Sequence, residues 1–285
     1  MNGRNGKEML FVEKYGPWAL VAGASRGLGR SFARCLAKRG LHLVLVARTE
    51  KALAGLAVEL ESGYQVQTLP LPVDLSTPDG LERIAAATET IDVGLVVYNA
   101  ALADTGPFLD RGRESLTRLV ATNCAGPLFS CRHFGQKMAE RGRGGIVLMS
   151  SMSGFQGTPY VAAYAASKAF NLVLAEGLWY ELKSANVDVL ACCPGPTATP
   201  GFNDSLQGKR PPVFPPVLSP QRVAERTLRN LGKRSVLVPS PANRMSYFLI
   251  QKLMPRQAGV RIMGKSTGRM YGRASSRRDT GRSKS

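Results

Sequence analysis

Seven short apolar runs punctuate this chain and constrain its fold more than any other feature. They are PWALVAG (17–23), LHLVLVA (41–47), Val66 to Val73, DVGLVVYNA (92–100), GGIVLMS (144–150), Val187 to Cys193 and SVLVP (235–239). Most are continuous rather than alternating, so both faces of each strand must be covered. Stretches of helical composition lie between them: Arg30 to Arg39, Glu50 to Glu61 with Gly63 following, Pro78 to Thr88 with Ser76 or Thr77 as N-cap, Glu114 to Arg141 with an irregularity at Gly126-Pro127, Pro159 to Lys183, and Pro220 to Leu231. Strand and helix alternate throughout, which predicts one doubly wound α/β domain over 17–240, a parallel seven-stranded sheet flanked by helices. No apolar run reaches the roughly 18 residues that a membrane span needs.

The first strand and first helix are joined by Gly23-Ala24-Ser25-Arg26-Gly27-Leu28-Gly29, spaced G-x-x-x-G-x-G. Glycines there let the backbone turn tightly and approach a pyrophosphate, whose charge a helix N-terminus favours. The second strand ends at Ala47-Arg48-Thr49, without the acid that would hold a ribose 2′-hydroxyl. Arg48 and Arg26 offer two guanidinium groups to a 2′-phosphate, so NADP is expected over NAD.

The stretch from Ser150 to Phe170 carries Tyr164 and Lys168, four residues apart and so on one face of a helix. Ser151 follows the apolar run that ends at Met149. A tyrosine with its pKa lowered by a lysine cation, beside a serine hydroxyl that holds a carbonyl oxygen, makes a proton-transfer site. A tyrosine–lysine pair at this spacing is also ordinary on a helix, and a serine after a strand is ordinary turn chemistry.

Taken together and in order, these motifs resemble the short-chain dehydrogenase/reductase family in its single-domain Rossmann form, from about Pro17 to Pro239. The resemblance rests on the glycine turn, Asp74-Leu75, Asn99-Ala100, Asn123, Ser151, Tyr164, Lys168 and Pro194-Gly195. Arg48, the Ser151 region and Cys193-Pro194-Gly195 look like the branch of 3-ketoacyl and 17β-hydroxysteroid reductases. The resemblance implies that Tyr164 moves the hydroxyl proton and that Lys168 holds the nicotinamide ribose. It makes Ser151 the residue that positions the carbonyl, and Asn123 the support of a water reaching Lys168. Asp74, with Leu75 beside it, reaches the adenine. Asn99 and Ala100 line the cofactor, Pro194-Gly195 packs on the nicotinamide, and Thr197 or Thr199 meets its carboxamide. Four positions depart from the family's usual residues: Ala22, Tyr98, Ala101 and Thr197.

The connection between Gly195 and Ser219, about 196–219, is long and apolar, with Phe202 and Phe214 in it. It reads as a substrate lid or as a proline-rich surface loop. Phe155 and Tyr160, lying between Ser151 and Tyr164, are expected to line the opposite wall. Residues 1–16 read as a flexible arm, 241–263 as an apolar helix and 264–285 as a basic disordered tail. The helix would pack on its own domain, on a second subunit or on an anionic membrane.

Net charge is +18, from 38 Lys+Arg against 20 Asp+Glu, which suits an anionic partner such as a phosphorylated cofactor. Specific nucleic-acid binding is not expected, since the tail has one aromatic, Tyr271. Five cysteines without a C-x-x-C pattern and only two histidines exclude a disulfide framework, a zinc site and a histidine triad. The expectation is a cytoplasmic, homo-oligomeric oxidoreductase, without a metal, that uses NADP(H) to interconvert an apolar ketone and a secondary alcohol. The competing reading is a cofactor-binding scaffold without turnover.

Overall fold

The computed structural model describes residues 6–206, 216–252 and 254–271. Its strands are β1 (Trp18–Ala22), β2 (His42–Ala47), β3 (Thr68–Pro72), β4 (Val93–Tyr98), β5 (Gly144–Met149), β6 (Val187–Cys192) and β7 (Val236–Leu237). Its α-helices are α1 (Gly6–Tyr15), α2 (Gly27–Lys38), α3 (Glu50–Tyr64), α4 (Gly80–Ala87), α5 (Arg113–Val120), α6 (Gly126–Arg141), α7 (Ala162–Glu181), α8 (Pro200–Ser205), α9 (Pro220–Asn230), α10 (Pro241–Lys252) and α11 (Arg256–Tyr271). The strands form one sheet in the order β3-β2-β1-β4-β5-β6-β7, with every pairing parallel. This is the expected doubly wound Rossmann sheet. The chain's path reverses between β1 and β4, so the loops leaving their C-terminal ends diverge and open a crevice.

Successive residues of each strand enter opposite cores. Ala19 and Val21 pack with Phe32, Leu36, Leu53 and Val223 on one side of the sheet. Leu20 and Ala22 pack with Phe134, Met138, Leu172 and Val189 on the other. On α2 the buried Leu28, Phe32, Cys35 and Leu36 recur at helical spacing, which seats the helix along its length. A side chain as fully buried as Phe32 contributes about 1.5–3 kcal/mol.

The arm expected over 1–16 is instead a helix from Gly6, and α1 packs under the N-terminal ends of the central strands β4 and β5. Tyr15 donates to Asp188 Oδ2 at 2.5 Å, and Lys14 Nζ lies 2.6 Å from the same oxygen. Phe11 and Val12 pack against the first core. Three apolar residues on one short face were too few to separate this helix from an irregular arm. The disordered tail expected from Gly264 is likewise corrected. Pro255 separates α10 from α11, which runs on to Tyr271. The tail beyond Tyr271 lies outside the described residues.

Smaller corrections follow local chemistry. Gly63 lies inside α3, and Gln65 makes the left-handed cap at φ 56°. The backbone N–H and hydroxyl of Thr77 both donate to the carbonyl of Asp74, a turn that delays α4 to Gly80. The irregularity expected at Gly126-Pro127 falls just before it, as a π-turn over Ala121–Ala125. Among the described residues, no helix is long and apolar enough to cross a membrane.

Candidate active site

The glycine turn leaves the C-terminal end of β1 and packs against the turn after β4. A Cβ on Gly29 would sit 1.9 Å from the Gly23 carbonyl oxygen, so only glycine lets α2 start this close to β1. Gly23 itself has φ 81°, in the region where glycine is unstrained. Asn99 is locked across the same gap: its backbone N–H donates to Ala22 O and its side-chain amide to Gly23 O. Beside them opens a cavity of about 500 Å³, lined by Gly23, Ser25, Arg26, Gly27, Leu28, Arg48, Asp74, Leu75, Asn99 and Ala100 among others. The N-terminus of α2 faces it, so a pyrophosphate would meet free N–H groups and a favourable dipole.

Asp74 is prepared to accept hydrogen bonds. Its Oδ1 takes the backbone N–H and the hydroxyl of Ser76, at 2.9 and 2.8 Å, and Arg118 approaches Oδ2 at 3.4 Å. Burial works to raise its pKa, but the two Ser76 bonds and the charges of Arg48 and Arg118 outweigh it and hold the carboxyl below its usual range. Arg118 escaped the sequence reading because it is an unremarked charge on a mostly exposed helix. Arg48 is exposed at the cavity rim, and Arg26 lies 4.0 Å from Asp204.

A second cavity, of about 390 Å³, adjoins the first, and Leu28, Asn99, Ala101, Thr199 and Gly201 line both. Ser151, Tyr164 and Lys168 meet on its wall, with Pro194, Gly195, Thr197 and Phe202. Ser151 Oγ accepts from the N–H of Ser153 at 3.2 Å and from its hydroxyl at 2.9 Å. Both lone pairs are thereby used, and the Ser151 proton is left to donate. Ser153 had not been singled out.

The electrostatics differ from expectation at the tyrosine–lysine pair. Burial pushes Tyr164 up to about 12, the Ser151 hydroxyl pulls it back, and the phenol of Tyr271 pushes it further up. Lys168 is engaged by the backbone. Its Nζ donates to Met149 O at 2.8 Å and lies 5.5 Å from the centre of the Tyr164 ring. Burial also brings Lys168 itself down to about 8, against smaller opposing effects of Cys124 and Cys193.

Asn123 sits in the π-turn and lines neither cavity. Its amide donates to Leu102 O at 2.8 Å and to Ser167 Oγ at 2.9 Å, and its Oδ1 accepts from Leu102 N at 2.8 Å. Ser167 precedes Lys168, so Asn123 ties the loop after β4 to the helix that carries the lysine. Tyr98 helps hold this turn, donating to Thr122 O at 2.8 Å.

Thr199 caps α8 by accepting from Phe202 N at 3.2 Å, and Thr197 donates to Gly195 O at 3.0 Å. Two expected wall residues lie elsewhere. The ring of Phe155 packs against that of Tyr247 on α10, at 4.3 Å between centres. Tyr160 packs against Gly268 of α11. Phe214 is outside the described residues. In place of Phe155 and Tyr160, α11 supplies Met263, Thr267, Met270 and Tyr271 to the cavity wall.

Residues 17–210 match the family described as short chain dehydrogenase. The chain belongs to that family. It is an oxidoreductase acting on CH–OH groups. A 7β-hydroxysteroid dehydrogenase of Mediterraneibacter gnavus is 32% identical over 240 residues, 84% of this chain and 91% of that protein. A very-long-chain 3-oxoacyl-CoA reductase of Neurospora crassa is 38% identical over 190 residues, 65% of this chain and 57% of that protein. A solved 7β-hydroxysteroid dehydrogenase structure superposes with a TM-score of 0.84 at 30% identity, covering 89% of this chain and 98% of that one. A short-chain dehydrogenase from Sphingobium yanoikuyae in complex with NADPH gives 0.73 at 29% identity, covering 81% and 91%.

Proposed function

We propose that this protein uses NADP(H) to interconvert a ketone and a secondary alcohol on a bulky, apolar, sterol-like substrate. The observation that carries the reading is the meeting of Ser151 and Tyr164 hydroxyls in an apolar-walled cavity continuous with the glycine-turn cavity. The 7β-hydroxysteroid dehydrogenases support the substrate class, since they match over most of their own length. The NADPH complex from Sphingobium yanoikuyae supports the cofactor, and Arg26 and Arg48 at the cavity edge favour a 2′-phosphate.

The dinucleotide, when bound, supplies or takes the hydride. Tyr164 gives its proton to the carbonyl oxygen in reduction and takes it back in oxidation. A phenol held near 12 is a protonated acid at neutral pH, which suits the reducing direction. Ser151 donates to the same oxygen as charge develops on it. Lys168 would hold a ribose hydroxyl of the dinucleotide, with its cation on the Tyr164 side of the site. Asn123 keeps the lysine helix in register through Ser167. Oxidation of NADPH, as its hydride passes to the ketone, is followed by absorbance across a panel of bulky ketones, with Tyr164→Phe as control. Full turnover by that variant would sink the mechanism. NADPH binding without turnover of any ketone would favour the scaffold reading instead.

Two surfaces extend the proposal. Phe129 on α6 and Val173, Trp179 and Tyr180 on α7 are exposed, which fits a homo-oligomer contact. Met245, Phe248 and Leu249 of α10 and Ile262 of α11 are exposed too. The helices carrying them hold Arg244, Arg256, Arg261, Lys265 and Arg269 and no acid. That combination suits peripheral contact with an anionic lipid surface. Pelleting with phosphatidylserine vesicles, lost on Phe248→Glu, tests it; pelleting unchanged by that substitution would reject this face.

A further inference from the structure

The helix α11 brings a second phenol into the substrate cavity. Gly264 and Gly268 lie one turn apart on α11 and rest on the turn that precedes α7. A Cβ at Gly264 would come within 3.2 Å of Pro159, and one at Gly268 within 3.1 Å of the Tyr160 ring. The bare backbone strip seats α11 close, and its adjoining face turns Thr267 and Tyr271 to the cavity that holds Ser151 and Tyr164.

Among the described residues Tyr271 has one weak hydrogen-bond partner. Its Oη lies 3.4 Å from Ser205 Oγ, at the outer limit of a hydrogen bond. Ser205 already donates its own proton to Phe202 O at 2.7 Å. A phenol facing an apolar cavity gains from an acceptor that completes its hydrogen bonding. Lys168 is the one charged side chain among the described residues lining this cavity, and Met149 O engages it. Among the described lining residues a carboxylate would therefore find no counter-ion beside Tyr271, whereas a neutral oxygen would find a donor.

We propose that Tyr271 is a specificity-determining residue that hydrogen-bonds a second, neutral oxygen of the substrate, apart from the reacting carbonyl. The inference rests on the ketone–alcohol reading above. The test pairs hydroxyketosteroids with counterparts lacking the second hydroxyl, and measures kcat and KM with NADPH for the wild type, Tyr271→Phe and Tyr271→His. The wild type favours the hydroxylated member about tenfold in kcat/KM, mostly through KM. Tyr271→Phe loses that preference with kcat and NADPH affinity retained, and Tyr271→His, which restores a donor, recovers part of it. A preference that survives Tyr271→Phe, or a wild type that never discriminates, overturns the inference and leaves the reaction intact. A wild type that binds NADPH and reduces neither member of any pair defeats the ketosteroid reading, and the inference with it.

Discussion

The C-terminal edge of the sheet and the α10–α11 hairpin both face the same cavity, but they are built differently. At the sheet edge the polar groups are held by direct hydrogen bonds to backbone and to neighbouring side chains. Asn123 makes three hydrogen bonds at 2.8–2.9 Å, Asn99 bridges β1 and β4, and Asp74 is held by Ser76. The hairpin is seated instead by ring contacts and bare glycine. Its link through Gln156 Nε2 to Gly259 O is 3.5 Å long, and both polar atoms of the buried Asn243 side chain lack a hydrogen-bond partner among the described residues. The difference separates two tasks. Groups that move a proton are preorganised by the fold, while groups that admit the substrate ride on an element whose packing can change without disturbing them.

The largest effect belongs to the sheet edge. Tyr164→Phe removes the proton donor and lowers kcat by about a hundred- to ten-thousand-fold, with NADPH affinity kept. Steady-state kinetics beside a fluorescence titration of NADPH check this. A hairpin substitution with an equal loss in kcat would break the comparison. Next in size is Arg48→Asp, which sets a carboxylate where a 2′-phosphate would lie. It shifts the ratio of kcat/KM for NADPH over NADH towards NADH by about ten- to a hundredfold. An unchanged ratio would take the phosphate from Arg48.

A smaller effect is expected from the hairpin. Gly268→Leu forces side-chain atoms into the Tyr160 ring, at a cost of about 1–3 kcal/mol in packing. The outcome is a raised KM for the ketone with kcat and NADPH affinity near wild type. A fall in kcat without a change in KM would place α11 among the groups that support the chemistry.

What could be read in the sequence follows the same division. Strand runs such as LHLVLVA announce themselves because a strand covered on both faces must be apolar throughout. The glycine turn, Ser151, Tyr164 and Lys168 could be placed because each is tied to the end of a strand or the start of a helix. The hairpin could not, because its signal is glycine, which reads equally as a packing strip and as disorder. Only the recurrence of Met263, Thr267, Met270 and Tyr271 at helical spacing, beside Gly264 and Gly268, distinguishes the two. The partners that tune the site, Ser153 for Ser151 and Ser167 for Asn123, were hidden for another reason: a serine's role is set by what the fold brings to it. The same holds for the ionisation of Tyr164 and Lys168, where burial governs and burial is a property of the folded chain.

That burial leads to the smallest effect. In the cofactor-free chain Lys168 titrates near 8, against an ordinary 10.5. Between those values the unfolded chain binds more protons at this residue than the folded chain does, so this residue adds stability as pH rises. Its contribution is complete above the ordinary value and is lost as pH falls through about 8. Lys168→Met removes the dependence and leaves Met149 O without its donor, a cost that does not vary with pH. The Tm of the wild type relative to Lys168→Met therefore climbs by a few degrees across that window, as calorimetry at a series of pH values would record. Tyr164, raised to about 12, acts in the opposite sense only above its ordinary 10, so it leaves the lower part of the window clear. Gly268→Leu, which leaves both groups in place, follows the wild-type pH curve at a constant offset. If the offset itself changed with pH, α11 would help to set the burial of the catalytic pair, and the two regions would not be separable.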